Sequence, residues 1–172
     1  MFRKKSDIEK LENKIVKAFK LRKDLVLDLE RVYIPLGLSV EYVSFINSSE
    51  QKRYSFKDNT IYININHPQN LTYKDRRFFL AELLFAYVVK EMEIYENLSK
   101  VDFKEKIREL TLRILVSDKK IREYIKYDNI KGLSTVFIIP EYAIKERLLI
   151  MDEDDRLLKY NKSKSSVRKL FS

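Results

Sequence analysis

The chain contains no cysteine and only one histidine, His67. The first absence excludes disulfides, thiolate nucleophiles and every cysteine-ligated zinc or iron–sulfur centre, and it agrees with a cytoplasmic protein. The second means that a two-histidine metal site cannot be built. Glycine and proline are nearly as scarce, two and three in 172 residues, so the few present punctuate the chain between elements. Long apolar runs are also missing. No window reaches the roughly 18 uncharged apolar residues of a membrane span, and the stretch 78–89 is twelve long with Glu82 inside it. The basic start "MFRKKSDIEK" has no apolar stretch behind it, so it is not expected to be a signal peptide. With 45% apolar and 35% charged residues the composition is that of a folded chain, and the length suits one domain.

The net charge of +9 is uneven. Residues 1–23 carry +6 and residues 156–172 another +6, while "DEDD" at 152–155 contributes −4 and leaves 24–151 at only +1. Basic ends either keep a protein soluble or neutralise phosphates, and the nearly neutral middle belongs to neither role.

Residues 6–32 keep a roughly helical apolar period through Ile8, Leu11, Ile15, Phe19, Leu25, Leu29 and Val32, with Ser6 and Glu9 at capping-box spacing. Pro35 and Gly37 end that helix. A strand is expected over 38–46, then a hairpin over 54–65 turning at Asp58-Asn59. A helix over about 73–97 is apolar on every side from Phe78 to Val89 and must be surrounded by other elements. An amphipathic helix follows over 102–117, then a short helix capped by Asp118, a turn at Gly132, and a last helix from Pro140 to about Met151. The predicted fold is α+β in one domain: an N-terminal helix, a small antiparallel sheet of about three strands, and a helical bundle around a central buried helix. Residues 1–23 form the basic part of the first helix, 24–151 the folded body, and 152–172 a charged, flexible tail.

The central helix opens "RRFFLAELLFAYVV" (76–89). With Arg76, Arg77, Phe78, Leu80, Ala81, Leu84 and Tyr87 in step, it resembles the phrase R-R-F-T-L-A-H-E-L-G-H-Y-L-L of the ImmA/IrrE family of zinc metallopeptidases. "LSTVFIIPEYAIKERLLIM" resembles that family's C-terminal phrase, and "KEKIRELTLRILVS" follows an intervening helix in apolar pattern only. The likeness runs from about Leu25 to Met151. It implies a zincin-like core and, in catalytic members, an H-E-x-x-H helix whose two histidines hold zinc while the glutamate activates the bound water. Here those positions are Glu82, Leu83 and Ala86, within Glu82-Leu83-Leu84-Phe85-Ala86, and the third ligand falls near Lys104. The resemblance therefore implies a degenerate, catalytically inactive member with no metal and no cofactor.

A single acid in a buried helix needs a cation, a hydrogen bond or a proton. Lys104, Lys106 or Arg108 of the 102–117 helix is the expected partner of Glu82; the plainer alternative is solvent or a tyrosine hydroxyl. Arg76 and Arg77 sit at a helix start, where cations are disfavoured, so they are expected to pair with acids or to touch a ligand.

The first expectation of function is a protein-binding regulator without catalysis, engaging a helix-turn-helix repressor or defence protein of a mobile element or phage in the cytoplasm of a bacterial or phage-infected cell. Its groove is expected along an edge strand 59–65 and the neighbouring helix, with Asn59, Tyr62, Asn64, His67 and Arg76 as contacts. The second is a nucleic-acid-binding regulator using helices 118–151 and the basic ends, through Lys120, Arg122, Lys126, Lys159, Lys162, Lys164, Arg168 and Lys169, with Tyr124, Tyr127 and Tyr142 interleaved. No membrane association is expected.

Overall fold

The computed structural model describes residues 6–21, 25–45, 52–95, 97–126 and 128–170, with side chains described as far as Asp155. Helix α1 (Asp7–Ala18) starts from a complete capping box between Ser6 and Glu9 and buries Ile8, Leu11, Ile15 and Val16. It does not run on to residue 32. Lys20 takes a left-handed conformation (φ 55°), the Leu21 N–H returns to the Val16 carbonyl and the Lys20 N–H to that of Lys17. This is a Schellman ending without glycine. Leu25, Leu27 and Leu29 then recur every second residue, a spacing that does not continue the helical period. A short helix, α2 (Glu30–Tyr33), and a 3-10 turn follow, and Gly37 reverses the chain at φ 69°, where a Cβ would be strained.

The strands are β1 (Ser39–Val43), β2 (Tyr54–Lys57) and β3 (Thr60–Asn64). Asp58 and Asn59 both have positive φ, as a two-residue hairpin turn of the primed type requires, so β2 and β3 pair antiparallel as expected. The expectation of an all-antiparallel sheet is corrected at β1, which pairs parallel to β3, giving a mixed sheet of order β1-β3-β2. The physical reason is that the segment between β1 and β2 is long enough to step over one strand position, so the hairpin inserts its second strand beside β1 and buries Ile61 and Ile63 between two neighbours. A second correction follows. Strand β3, expected to be an edge, has partners on both sides and cannot accept an added strand.

Helix α3 (Tyr73–Glu91) begins at Thr72, which forms a capping box with Asp75, and buries residues on every face, from Arg77, Phe78 and Phe79 to Val88 and Val89. Around it lie α4 (Lys100–Leu115), α5 (Asp118–Tyr124), α6 (Ile130–Phe137) and α7 (Glu141–Leu170). The N-cap of α5 is Ser117 rather than Asp118, and Gly132 lies inside the first turn of α6, donating its N–H to the capping side chain of Asn129. A Cβ on Gly132 would meet the Asp128 carboxylate, the end of an exposed side chain that would have to swing aside. Helix α7 continues past Met151 to Leu170, so the expected tail is helical in backbone from 152 to 170; its side chains beyond Asp155 lie outside the described residues. The acidic knot fastens this helix to the body. Asp154 makes a two-pronged pair with Arg113 at 2.9 and 3.2 Å, and Asp155 meets Arg122 at 2.9 Å. The chain is α+β, with one continuous core shared by the sheet and the helices. Among the described residues no helix is long and apolar enough to cross a membrane.

Candidate functional site

The acid inside the central helix faces a cation. Arg108, on α4, places Nη1 3.0 Å from Glu82 Oε1, and its Nε donates to both oxygens of Glu146, on α7, at 2.8 and 2.9 Å. The side chains of Glu82, Arg108 and Glu146 are 18%, 30% and 36% exposed, so the cluster lies at the margin of the core rather than deep within it. Its walls are aromatic: the Arg108 guanidinium carbon is 5.2 Å from the Phe78 ring centroid and 5.5 Å from that of Tyr142. Arg53, just before β2, stacks on Phe79 at 3.6 Å and is held by the Asn70 side chain and the Gln69 carbonyl.

Burial pushes the Glu82 carboxyl above the usual carboxylate range; Arg108 and Arg53 pull it back, and Glu146 adds to the rise. For Arg108 the balance runs the other way. Burial disfavours its charge, but the two carboxylates outweigh that and raise its pKa. The guanidinium is thus more comfortable between two acids than Glu82 is with a shared cation.

Of the three expected partners of Glu82, only Arg108 reaches it. Lys104, one turn earlier on α4, is exposed, and Lys106 pairs with Glu109 at 3.8 Å. Leu83 and Ala86 are half-buried and pack against the core. These residues do not fit a zinc ion: the group nearest the Glu82 carboxylate is itself a cation, and among the described residues no three His, Cys, Asp or Glu side chains come together in an arrangement that could hold a metal.

The five expected groove contacts do not form one surface. Asn59 lies in the hairpin turn, and its carbonyl accepts from the Ser39 N–H. Tyr62 is half-buried on the face of β3 opposite Ile61 and Ile63. Asn64 is buried and bonds to the Lys52 carbonyl, and His67 caps a 3-10 turn by accepting from the Gln69 N–H at its Nδ1. Arg76 donates to the carbonyls of Asn70 and Leu71 and makes no ion pair among the described residues. Because β3 is the middle strand, its own Tyr62 and Asn64 lie between two strand neighbours rather than along an open edge.

The true edge beside α3 is β2. Its Tyr54 and Phe56 are 42% and 50% exposed and face the helix, Tyr54 against Phe79 (5.6 Å, edge to face) and Phe56 against Tyr87 (6.5 Å). Since Arg53 and Asn64 form a bonded pair, the alternation of an antiparallel ladder turns the main-chain groups of Tyr54 and Phe56 outward. Among the described residues no strand pairs with that edge.

The expected nucleic-acid contacts divide. Arg122 is tied to Asp155, Lys120 is half-buried and already engaged, and Lys126 is exposed. Tyr124 packs inward on Phe137 at 6.2 Å and Tyr142 on Phe78 at 6.1 Å, so these rings do not make a stacking platform; Tyr127 lies outside the described residues. The side chains of Lys159, Lys162, Lys164, Arg168 and Lys169 also lie outside them, although the helix backbone of α7 passes through all five positions.

Sequence reasoning missed Arg53, Glu146 and two arginines of the core. Arg113 is 5% exposed and joins Glu109 to Asp154. Arg147 is 1% exposed, bonds to the Val116 carbonyl and to Asp118, and is held down to about 10 by burial and then by the neighbouring Arg113 charge. The signal was available: the isolated "DEDD" at the end of a neutral body required cations within reach, and Arg113 sits among buried neighbours of α4. No family model matches the chain, and no curated protein and no solved structure matches it either.

Proposed function

We propose that the chain is a non-catalytic relative of the ImmA/IrrE metallopeptidases that acts by binding a protein, a helix-turn-helix repressor or defence protein of a mobile element or phage. The observation that carries this reading is the Glu82–Arg108 contact at 3.0 Å. A guanidinium fixed between Glu82 and Glu146 stands beside the helix positions where the family needs zinc, and Leu83 stands where it needs the base. What the arrangement retains is a path for a peptide: an open strand edge at β2, rings from Tyr54, Phe56, Phe79 and Tyr87 alongside it, and Arg53 at one end. Strand addition supplies main-chain hydrogen bonds, and such rings supply selectivity.

The test is binding of purified mobile-element repressors to the wild type, Phe56→Lys and Lys126→Ala. Binding that is lost in Phe56→Lys and kept in Lys126→Ala supports the reading. Cleavage of a repressor, or equal binding by Phe56→Lys, overturns it.

A second reading is favoured by a separate observation. From residue 156 to 170 the continuous helix α7 carries six Lys and Arg and no acid, which suits an arm that neutralises phosphates. On that reading the chain is a nucleic-acid-binding regulator, and the β2 edge is incidental to it.

A further inference from the structure

Three arginines are buried among the described residues, and two of them have carboxylates: Arg113 has Asp154 and Glu109, and Arg147 has Asp118. The third, Arg77, is 5% exposed and makes no ion pair among the described residues. Its Nη2 donates to the Leu27 carbonyl at 2.6 Å, and its Nη1 to the carbonyls of Ile138 and Phe137 at 3.3 and 3.4 Å. Those acceptors are neutral, so three dipoles solvate the charge and no carboxylate among the described residues bonds to it directly. Three of the five guanidinium N–H groups are used; the Nε–H and one Nη2–H have no acceptor among the described residues. Burial lowers the Arg77 pKa, and the fields of Tyr73, Tyr42 and Asp28 work against that.

Arg77 lines a cavity of about 380 Å³ between the segment before α2, strand β1 and the start of α3. Three tyrosines from three different elements stand around it: Tyr33 from α2, Tyr42 from β1 and Tyr73 from α3. The remaining wall is mixed: Leu27, Leu29, Val40, Leu80 and Ile138 supply apolar surface, and Asp28 and Glu30 supply two carboxylates. Ile138 holds a left-handed conformation (φ 52°), rare for a β-branched residue, and thereby turns its carbonyl to Arg77. The volume is in the range of small-ligand sites, and polar groups from several elements converge on it beside apolar wall.

We propose that this cavity binds a small monocarboxylate with an apolar or aromatic body, its carboxylate meeting the free N–H groups of Arg77 and the hydroxyls of Tyr42 and Tyr73. An anion supplies the missing counter-charge to a buried guanidinium, which has a fork geometry matched to carboxylates. The occupant carries one negative charge rather than two because Asp28 and Glu30 stand among the lining residues and repel a second. Both are engaged locally, Asp28 with the Glu30 N–H at 3.0 Å and Glu30 with the Tyr33 side chain, so they do not turn inward to neutralise Arg77. An ammonium ligand is disfavoured by Arg77 itself and by Arg76, whose charge reaches Tyr42. The proposal is independent of the β2 edge and of the Glu82 cluster.

The test uses the full chain with benzoate and hexanoate as probes, and with hexylammonium and inorganic phosphate as counter-probes, followed by the tyrosine ring resonances in NMR titrations. Removing Arg77 would untie three segments, so the variant is Tyr42→Phe combined with Tyr73→Phe, which keeps both rings. Saturable binding of either acid at ~mM concentration, weakened about tenfold in the double variant, is the expected result. Absence of saturable binding by both acids, equal affinity in the double variant, or binding of hexylammonium or phosphate as tight as that of the acids overturns the proposal.

Discussion

Glu82 and Arg108 meet at 3.0 Å, yet the two do not gain equally from the contact. Arg108 has a second carboxylate in Glu146, while Glu82 shares its only directly bonded cation and carries the larger burden of burial. Substitution should expose that asymmetry. Arg108→Met leaves two carboxylates turned to one half-buried space and is expected to cost about 2–3 kcal/mol, below the ~3–5 typical of a fully buried pair because the cluster is partly exposed. Glu82→Gln keeps an acceptor for Arg108 and loses the cost of burying a charge, so its effect should stay within about 1 kcal/mol. Urea denaturation of both variants at neutral pH checks this; equal losses would show that the pair acts as a symmetric unit.

The pH dependence follows from the same imbalance. The Glu82 pKa in the folded chain is raised above its ordinary value of 4.5, first by burial. Between the unfolded and folded values the native state therefore holds more proton than the unfolded state, and stability falls as pH rises through that window. Glu82→Gln removes this term. The difference in unfolding free energy, Gln variant minus wild type, should become more favourable to the variant as pH is raised from below 4.5 towards neutrality. A difference that moves the other way, or stays flat from pH 4 to 7 (about the carboxylate range), contradicts the assignment of burial as the dominant cause.

The parts of this arrangement that the sequence revealed are those set by local chemistry. The Ser6–Glu9 capping box, the Asp58-Asn59 turn and the all-round apolar character of α3 each depend on residues a few positions apart, and each is where the pattern puts it. Arg108 emerged as one of three candidates for Glu82, but choosing it over Lys104, one turn away on the same face, required the axial offset of α4 against α3, which no single helix encodes. The break after Ala18 was hidden because Lys20 ends the helix without glycine. The parallel pairing of β1 with β3 was hidden because strand order is a long-range choice, and that choice moved the open edge from β3 to β2. Arg77 was singled out for its awkward place at a helix start; the carbonyls that answer it come from Leu27, Phe137 and Ile138, 50 to 61 residues away in sequence.

The acidic stretch of α7 is tied to the body by two pairs of very different depth. Arg113 is 6% exposed and joins Glu109 to Asp154, so Arg113→Ala should cost about 3 kcal/mol by removing the buried guanidinium that these two half-buried carboxylates share. Arg122 and Asp155 are 49% and 40% exposed, and Asp155→Ala should cost less than ~1 kcal/mol. Thermal unfolding of the two variants side by side gives the comparison. Similar shifts in Tm would mean that Arg113 is better solvated than its position indicates.

The helical arm beyond Asp155 separates the two functional readings by salt. Residues 156–170 contain six of the 35 Lys and Arg of the chain and no acid, whereas 24–151 are nearly neutral and Arg122 is already paired with Asp155. If phosphate contacts drive binding, affinity for a duplex or single strand falls as salt rises with a slope of about −0.9 or −0.7 per phosphate neutralised. Six contacts would make that a loss of roughly a thousandfold between 50 and 200 mM salt. A chain ending at Asp155 keeps Arg113–Asp154 and Arg122–Asp155 and should retain its unfolding midpoint while losing this affinity and its salt slope. A peptide held along β2 between Tyr54, Phe56 and α3 depends on main-chain hydrogen bonds and ring contacts, so its affinity should change little over the same salt range and survive the truncation. Measuring both ligands against both chain lengths assigns each affinity to its element, and nucleic-acid binding that persists undiminished in the shortened chain would exclude the arm as its source.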